Sequence, residues 1–144
     1  MRTLVAILCL LSAACGNAMD LGTAEVLVRE AAELERSGDP VGSYRKYKLV
    51  EGTYETNDEL RSEAWDGAQR TRAQAEKMAV EITKALNSYR SVHGFYPSKL
   101  ADVATMLPAE IARVLNRFQA YESADGSMIA KASLNGHSFD LRNR

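Results

Sequence analysis

Histidine, cysteine and serine are the side chains best suited to ligate a metal or attack a carbonyl, and this chain holds few of the first two. His93 and His137 each sit beside a glycine at a predicted turn, with no carboxylate or second histidine at ligand spacing. Neither is expected to bind a metal or carry a proton in catalysis. Ser98 and Ser127 lie in turn-like settings and lack the Gly-x-Ser-x-Gly or Ser-x-x-Lys pattern of a nucleophile, so they read as caps. No glycine-rich phosphate loop is present, so no nucleotide or other cofactor is expected. Both cysteines, Cys9 and Cys15, fall within the first eighteen residues. The body of the chain beyond them can form neither an internal disulfide nor a thiolate metal site. With 18 Lys and Arg against 19 Asp and Glu, and no basic run longer than two, a nucleic-acid partner has no electrostatic footprint.

The first eighteen residues read as an export signal. Arg2 precedes an apolar run from Leu4 to Leu11, and Ser12, Ala13 and Ala14 come next. This is the three-part plan of a signal peptide, and the run is too short to span a bilayer, which takes about 20 apolar residues. Two cleavage readings are open. Ser12, Ala13, Ala14 and Cys15 resemble the lipobox of bacterial lipoproteins, in which the cysteine becomes the lipidated first residue. That family usually places Leu three residues before the cysteine, where Ser12 stands here. Alternatively, Gly16, Asn17 and Ala18 form a small-x-small site for cleavage after Ala18. The lipoprotein resemblance implies a lipid anchor at Cys15 on the periplasmic side of the envelope, with Gly16 favouring the outer membrane. Cleavage after Ala18 implies a soluble periplasmic or secreted protein.

At 144 residues, 46% apolar and 26% charged, the chain has the composition of a folded protein of one modest core. Leu27, Ala31 and Leu34 at helical spacing predict a helix from Thr23 to Arg36, with Thr23 as its N-cap. Gly38 and Pro40 break it and open a second helix from Pro40 to Tyr54. A third begins near Asp58 and is expected to stop at Gly94. Gly67, in its polar stretch from Asp66 to Arg72, is a candidate bend or break. Short helical pieces are predicted for Lys99 to Met106 and Ala109 to Phe118. Runs at 119–123, 128–133 and 138–142 are separated by Asp125-Gly126 and Asn135-Gly136. These are two-residue hairpin turns, so the tail predicts a three-stranded antiparallel meander. The expected class is α+β, with helices first and strands last. The domain plan is a leader over 1–18, a helical hairpin over 19–72 and an α+β domain over 73–144.

Two resemblances attach to these segments. Leu27, Ala31, Leu34, Gly38, Tyr47 and Val50, continued by Tyr54, Ala64 and Ala68, resemble the packing positions of a tetratricopeptide-like hairpin. Ser43 departs from the small residue expected near the start of its second helix, and there is only about one repeat. Further on, Ile82, Ala85, Leu86 and Tyr89, then Gly94, Tyr96, Pro97 and Leu100, resemble the globular domain of type IV pilins and type II secretion pseudopilins. The resemblance covers residue 73 to the C-terminus, and Tyr121, Phe139 and Leu141 suit it. It implies a pilin-like head without the assembly helix of a pilin, whose place the export signal takes. Some pseudopilins bind calcium in the C-terminal sheet, but Glu122, Asp125 and Asp140 are spread over different predicted strands, and no metal is expected here.

Tyr44, Tyr47, Tyr54 and Trp65 cluster in the helical part. They are either core packing or aromatic anchors left exposed for a partner. Together these readings give a non-enzymatic, envelope-anchored interaction or assembly protein with an envelope protein partner. The pilin resemblance implies an accessory of a secretion or pilus apparatus. A freely soluble binding module is the second expectation, and an enzyme is the third.

Overall fold

A computed structural model describes residues 21–52, 57–134 and 137–138. The leader with Cys15, Tyr54, the Asn135-Gly136 turn, Phe139, Asp140 and Leu141 lie outside the described residues.

Three helices form the body: α1 (Leu21–Arg36), α2 (Pro40–Glu51) and α3 (Asp58–His93). Helix α1 starts earlier than Thr23, which lies inside it rather than capping it. The break before α2 arises from residue types. Gly38 takes φ 83°, a left-handed conformation that costs glycine nothing, and Pro40 supplies the preset dihedral of a first helical residue. Asp39 caps α2 by accepting from the Gly42 N–H at 2.8 Å.

Close approach holds the helices together. Ser43 is fully buried and its hydroxyl donates to the Ala31 carbonyl of α1 at 2.7 Å. Gly67, expected as a bend, lies instead inside an uninterrupted α3. A Cβ added there would sit 2.4 Å from Cζ of Tyr47, so the glycine is the seat on which the Tyr47 ring rests. Thr71, one turn on, is also buried and returns its hydroxyl to the Gly67 carbonyl at 2.8 Å. Asn57 caps the start of α3, and Gly94 ends it with φ 82° and its N–H on the Arg90 carbonyl at 2.7 Å.

Past α3 come a 3₁₀ segment (Leu100–Met106), a short helix α4 (Ala109–Arg113), a 3₁₀ turn (Leu115–Arg117), then β1 (Phe118–Glu122), β2 (Met128–Leu134) and β3 (His137–Ser138). The expected helix from Ala109 to Phe118 is therefore two pieces, and Phe118 opens the first strand. The α+β plan with a three-stranded meander is corrected. The described chain is helix-rich, and only β1 and β2 form a ladder, five residue pairs from Phe118↔Ala132 to Glu122↔Met128. On the far side of β2, among the described residues, Ser133 and Leu134 pair with Ser138 and His137 respectively. The remainder of the expected third strand, residues 139–142, lies outside the described residues. Phe118, Ala130 and Ala132 turn into the core, and the Thr83 hydroxyl of α3 accepts from the Ala130 N–H at 2.9 Å. The hairpin turn differs too. Ser123 N–H bonds the Ser127 carbonyl and Gly126 N–H bonds the Ser123 carbonyl, giving a three-residue loop with Gly126 at φ 77°.

The boundary expected between residues 72 and 73 falls inside α3, and one contiguous set of buried side chains runs from Ala24 to Ala132 across it. Arg117, just before β1, reaches back to the α2 cap and places Nη2 2.8 Å from Asp39 Oδ2.

Candidate functional site

The four hairpin aromatics part company in the fold. Tyr44 and Tyr47 are buried, the latter 2% exposed against Gly67, so as partner-binding residues they are corrected to core packing. Burial raises the pKa of both phenols, since an ionised phenolate would lose its water there. Tyr54 lies outside the described residues. Trp65 alone of the other three is open to solvent, at 51% exposure.

The helical period explains the split. Ala64, Gly67, Ala68, Thr71 and Ala75 form the small-residue stripe of α3 that receives α1 and α2. Trp65 is one residue off that stripe, about 100° around the helix, which carries it away from the hairpin. It borders an open, shallow hollow of about 420 Å³ lined by Glu51, Asp58, Arg61, Ser62 and Trp65. Arg61 lies 3.4 Å from Asp58, and Glu51 accepts from Lys48 at 2.8 Å through Oε1. Glu51 Oε2 is buried without a hydrogen-bond partner among the described residues. The first turns of α3 hold Asp58, Glu59, Glu63 and Asp66 against the single base Arg61, so the surroundings of Trp65 are acidic.

A second exposed region lies at the other end of α3 and was not singled out from the sequence. Val92 is 75% exposed and Phe95 62%. Phe95 is held by neighbouring rings: its centroid is 6.2 Å from Tyr89, edge on, and 6.1 Å from His93, while Tyr89 and His93 are 4.2 Å apart. Tyr96 folds back onto the last turns of α3. Its hydroxyl donates to Asn87 Oδ1 at 3.0 Å and accepts from Arg90, whose guanidinium lies 4.8 Å over the ring. Two signals could have found this tip. Val92 continues the line of Ala85 one heptad past it, and Phe95 follows just after the helix ends, so apolar side chains run on past the last covered turn. In addition, no Asp or Glu occurs from Ile82 to Ala101.

The remaining candidates are structural. Ser98 Oγ and the Lys99 N–H approach the Asp102 carboxylate at 3.4 and 3.2 Å, so the side chain that caps the 3₁₀ segment is Asp102 rather than Ser98. Asp125 accepts from Ser123 Oγ, Ser127 N–H and Ser127 Oγ, which holds its carboxyl down at about 2. Among the described residues no group of three or more His, Cys, Asp or Glu could hold a metal ion, and no helix is long and apolar enough to cross a membrane. No protein-family model, curated protein or solved structure matches this chain, so the pilin, tetratricopeptide and lipoprotein resemblances rest on its residues alone.

Proposed function

We propose that this chain is a non-enzymatic interaction protein of the cell envelope, exported by its leader and anchored through Cys15. Its protein partner docks on the Trp65 hollow. The observation that carries this reading is the exposure of Trp65 beside Arg61, while its neighbours Tyr44 and Tyr47 are packed away. Tryptophan and arginine are the residue types that most often dominate interface energy. The carboxylates around them favour a partner surface that carries Lys or Arg at its rim. A secretion or pilus apparatus is the class of partner that the resemblance over Ile82–Leu100 suggests.

Two measurements test the proposal separately. Radiolabelled palmitate incorporated in the wild type and absent from Cys15→Ala supports the anchor, whereas a mature N-terminus at Met19 refutes it. For docking, a photo-crosslinker at Ser62 should trap one envelope protein, and Trp65→Ala should abolish the adduct with the helical spectrum unchanged. An adduct indifferent to Trp65→Ala refutes the docking site.

A further inference from the structure

The tip at the end of α3 differs from the Trp65 hollow in charge as well as in shape. From Ile82 to Ala101 the chain carries Lys84, Arg90 and Lys99 with no Asp or Glu. Lys84 is turned back to Glu81 at 2.7 Å, which leaves Arg90 and Lys99 on either side of Val92 and Phe95 in the sequence. Neither is paired with a carboxylate among the described residues; Arg90 instead lies over Tyr96. Asp102, the first acid beyond, is turned to the Lys99 backbone N–H.

Between these cations in the sequence stand Val92 and Phe95, the two most exposed large apolar side chains of the described chain. The Tyr89 and His93 rings brace Phe95, so little rotamer freedom is lost when it enters an apolar medium. Tyr89, Tyr96 and His93 combine an apolar body with a polar edge, which suits the boundary between acyl chains and headgroups. We propose that the Val92–Phe95 tip inserts shallowly into an anionic bilayer surface, with Arg90 and Lys99 at the headgroups. Apolar insertion and attraction to anionic lipid together set the strength of such contacts. The charge pattern decides between lipid and protein here. With Arg90 and Lys99 against the one nearby carboxylate of Asp102, the tip is net cationic and matches an anionic surface that presents no side-chain pattern, whereas Trp65 sits among acids that such a surface would repel. This contact is separate from the Cys15 anchor and from the Trp65 site, and it does not depend on either.

The test reads the tip locally, so that anchor and leader do not mask it. The full chain carrying Trp65→Phe and Phe95→Trp has its only indole at the tip. It is mixed with vesicles of 30% phosphatidylglycerol in phosphatidylcholine and with vesicles of phosphatidylcholine alone. The expected result is a blue-shifted emission on the anionic vesicles that is quenched by brominated acyl chains. It should weaken at least tenfold on the neutral vesicles and when Arg90→Gln and Lys99→Gln are added. An indole placed instead at the exposed Gln74, with Phe95 restored, should stay unquenched. A folded chain whose tip indole stays unquenched on anionic vesicles overturns the proposal. So does a tip buried by a second copy, seen as a dimer by ultracentrifugation that Val92→Ser dissolves. Protection of the tip only by a lipid-free envelope protein fraction would also overturn it.

Discussion

Trp65 and Phe95 are both large exposed aromatics at opposite ends of one helix system, yet their surroundings have opposite character. Trp65 stands one residue beside a tightly closed seam, Tyr47 on Gly67 and Ser43 on Ala31, in an acidic setting. Phe95 stands beyond the end of α3, beside a short 3₁₀ segment, in a stretch from Ile82 to Ala101 that carries no acid. Exposure by itself therefore says little about a partner. The charges around the exposed ring carry the information, and the packing beneath it says whether the ring can be removed without unfolding the protein.

Substitutions should separate the two ends sharply. Tyr47→Ala empties the hairpin seam and is expected to cost about 3–5 kcal/mol of stability, read by denaturant unfolding. Gly67→Ala tests the same seam from the other side. Overpacking against a buried ring costs about 1–3 kcal/mol, and better helix propensity returns only about 1, so the melting temperature should fall. Placing Leu at 47 in the Gly67→Ala background should recover part of that loss. Asp39→Ala removes the α2 cap and the partner of Arg117, for about 1–2 kcal/mol, most of it the cap because Arg117 is half exposed. At the far end, Val92→Ser with Phe95→Ser should change stability by no more than about 0.5 kcal/mol. A large loss there would erase the contrast.

Acidity and alkalinity sharpen the same contrast. The buried phenols of Tyr44 and Tyr47 have folded pKa values above their ordinary 10.0, so stability present below pH 10 is lost as pH rises past it. Tyr44→Phe should flatten that alkaline limb in a pH titration of thermal melting. The smallest effect belongs to Asp125 in the hairpin loop. Its folded value of about 2 lies below the ordinary 3.8, so its contribution is present above pH 4 and fades as pH falls towards 2. Asp125→Asn should make the acid limb slightly shallower.

Much of this fold was legible from single residues. Gly38 with Pro40, and Gly94 before Tyr96 and Pro97, mark breaks through local conformational chemistry, and the structure places helix ends there. What escaped is non-local. A glycine in mid-helix reads as a weak point until Tyr47 is known to rest on it, and that contact joins residues twenty positions apart. Asp125-Gly126 reads as a two-residue turn, but the Ser123 and Ser127 hydroxyls converge on the Asp125 carboxylate and the loop closes one residue wider. Most of the expected third strand, residues 139–142, lies outside the described residues, and the contact of Thr83 on α3 with the Ala130 N–H of β2 joins residues forty-seven positions apart. As for the sites, Trp65 was visible as an aromatic but its exposure was not. Phe95 was hidden between Gly94 and Tyr96, residues read only for their pilin resemblance.

An uninterrupted α3 also sets a phase. Val92 minus Trp65 is 27 positions, which at about 1.5 Å and 100° each is about 40 Å of separation and half a turn of rotation. Whatever meets Trp65 and whatever meets the tip therefore approach from opposite sides, at a spacing that the backbone fixes. Along a straight helix, seven further residues between the two sites would lengthen this gauge by about 10 Å with little change of bearing. Two further residues would add only about 3 Å but turn one end by about 200°. Because Ile82 and Leu86 share one core with Ala64 and Ala68, the fold resists that turn and holds the two contacts on opposite sides.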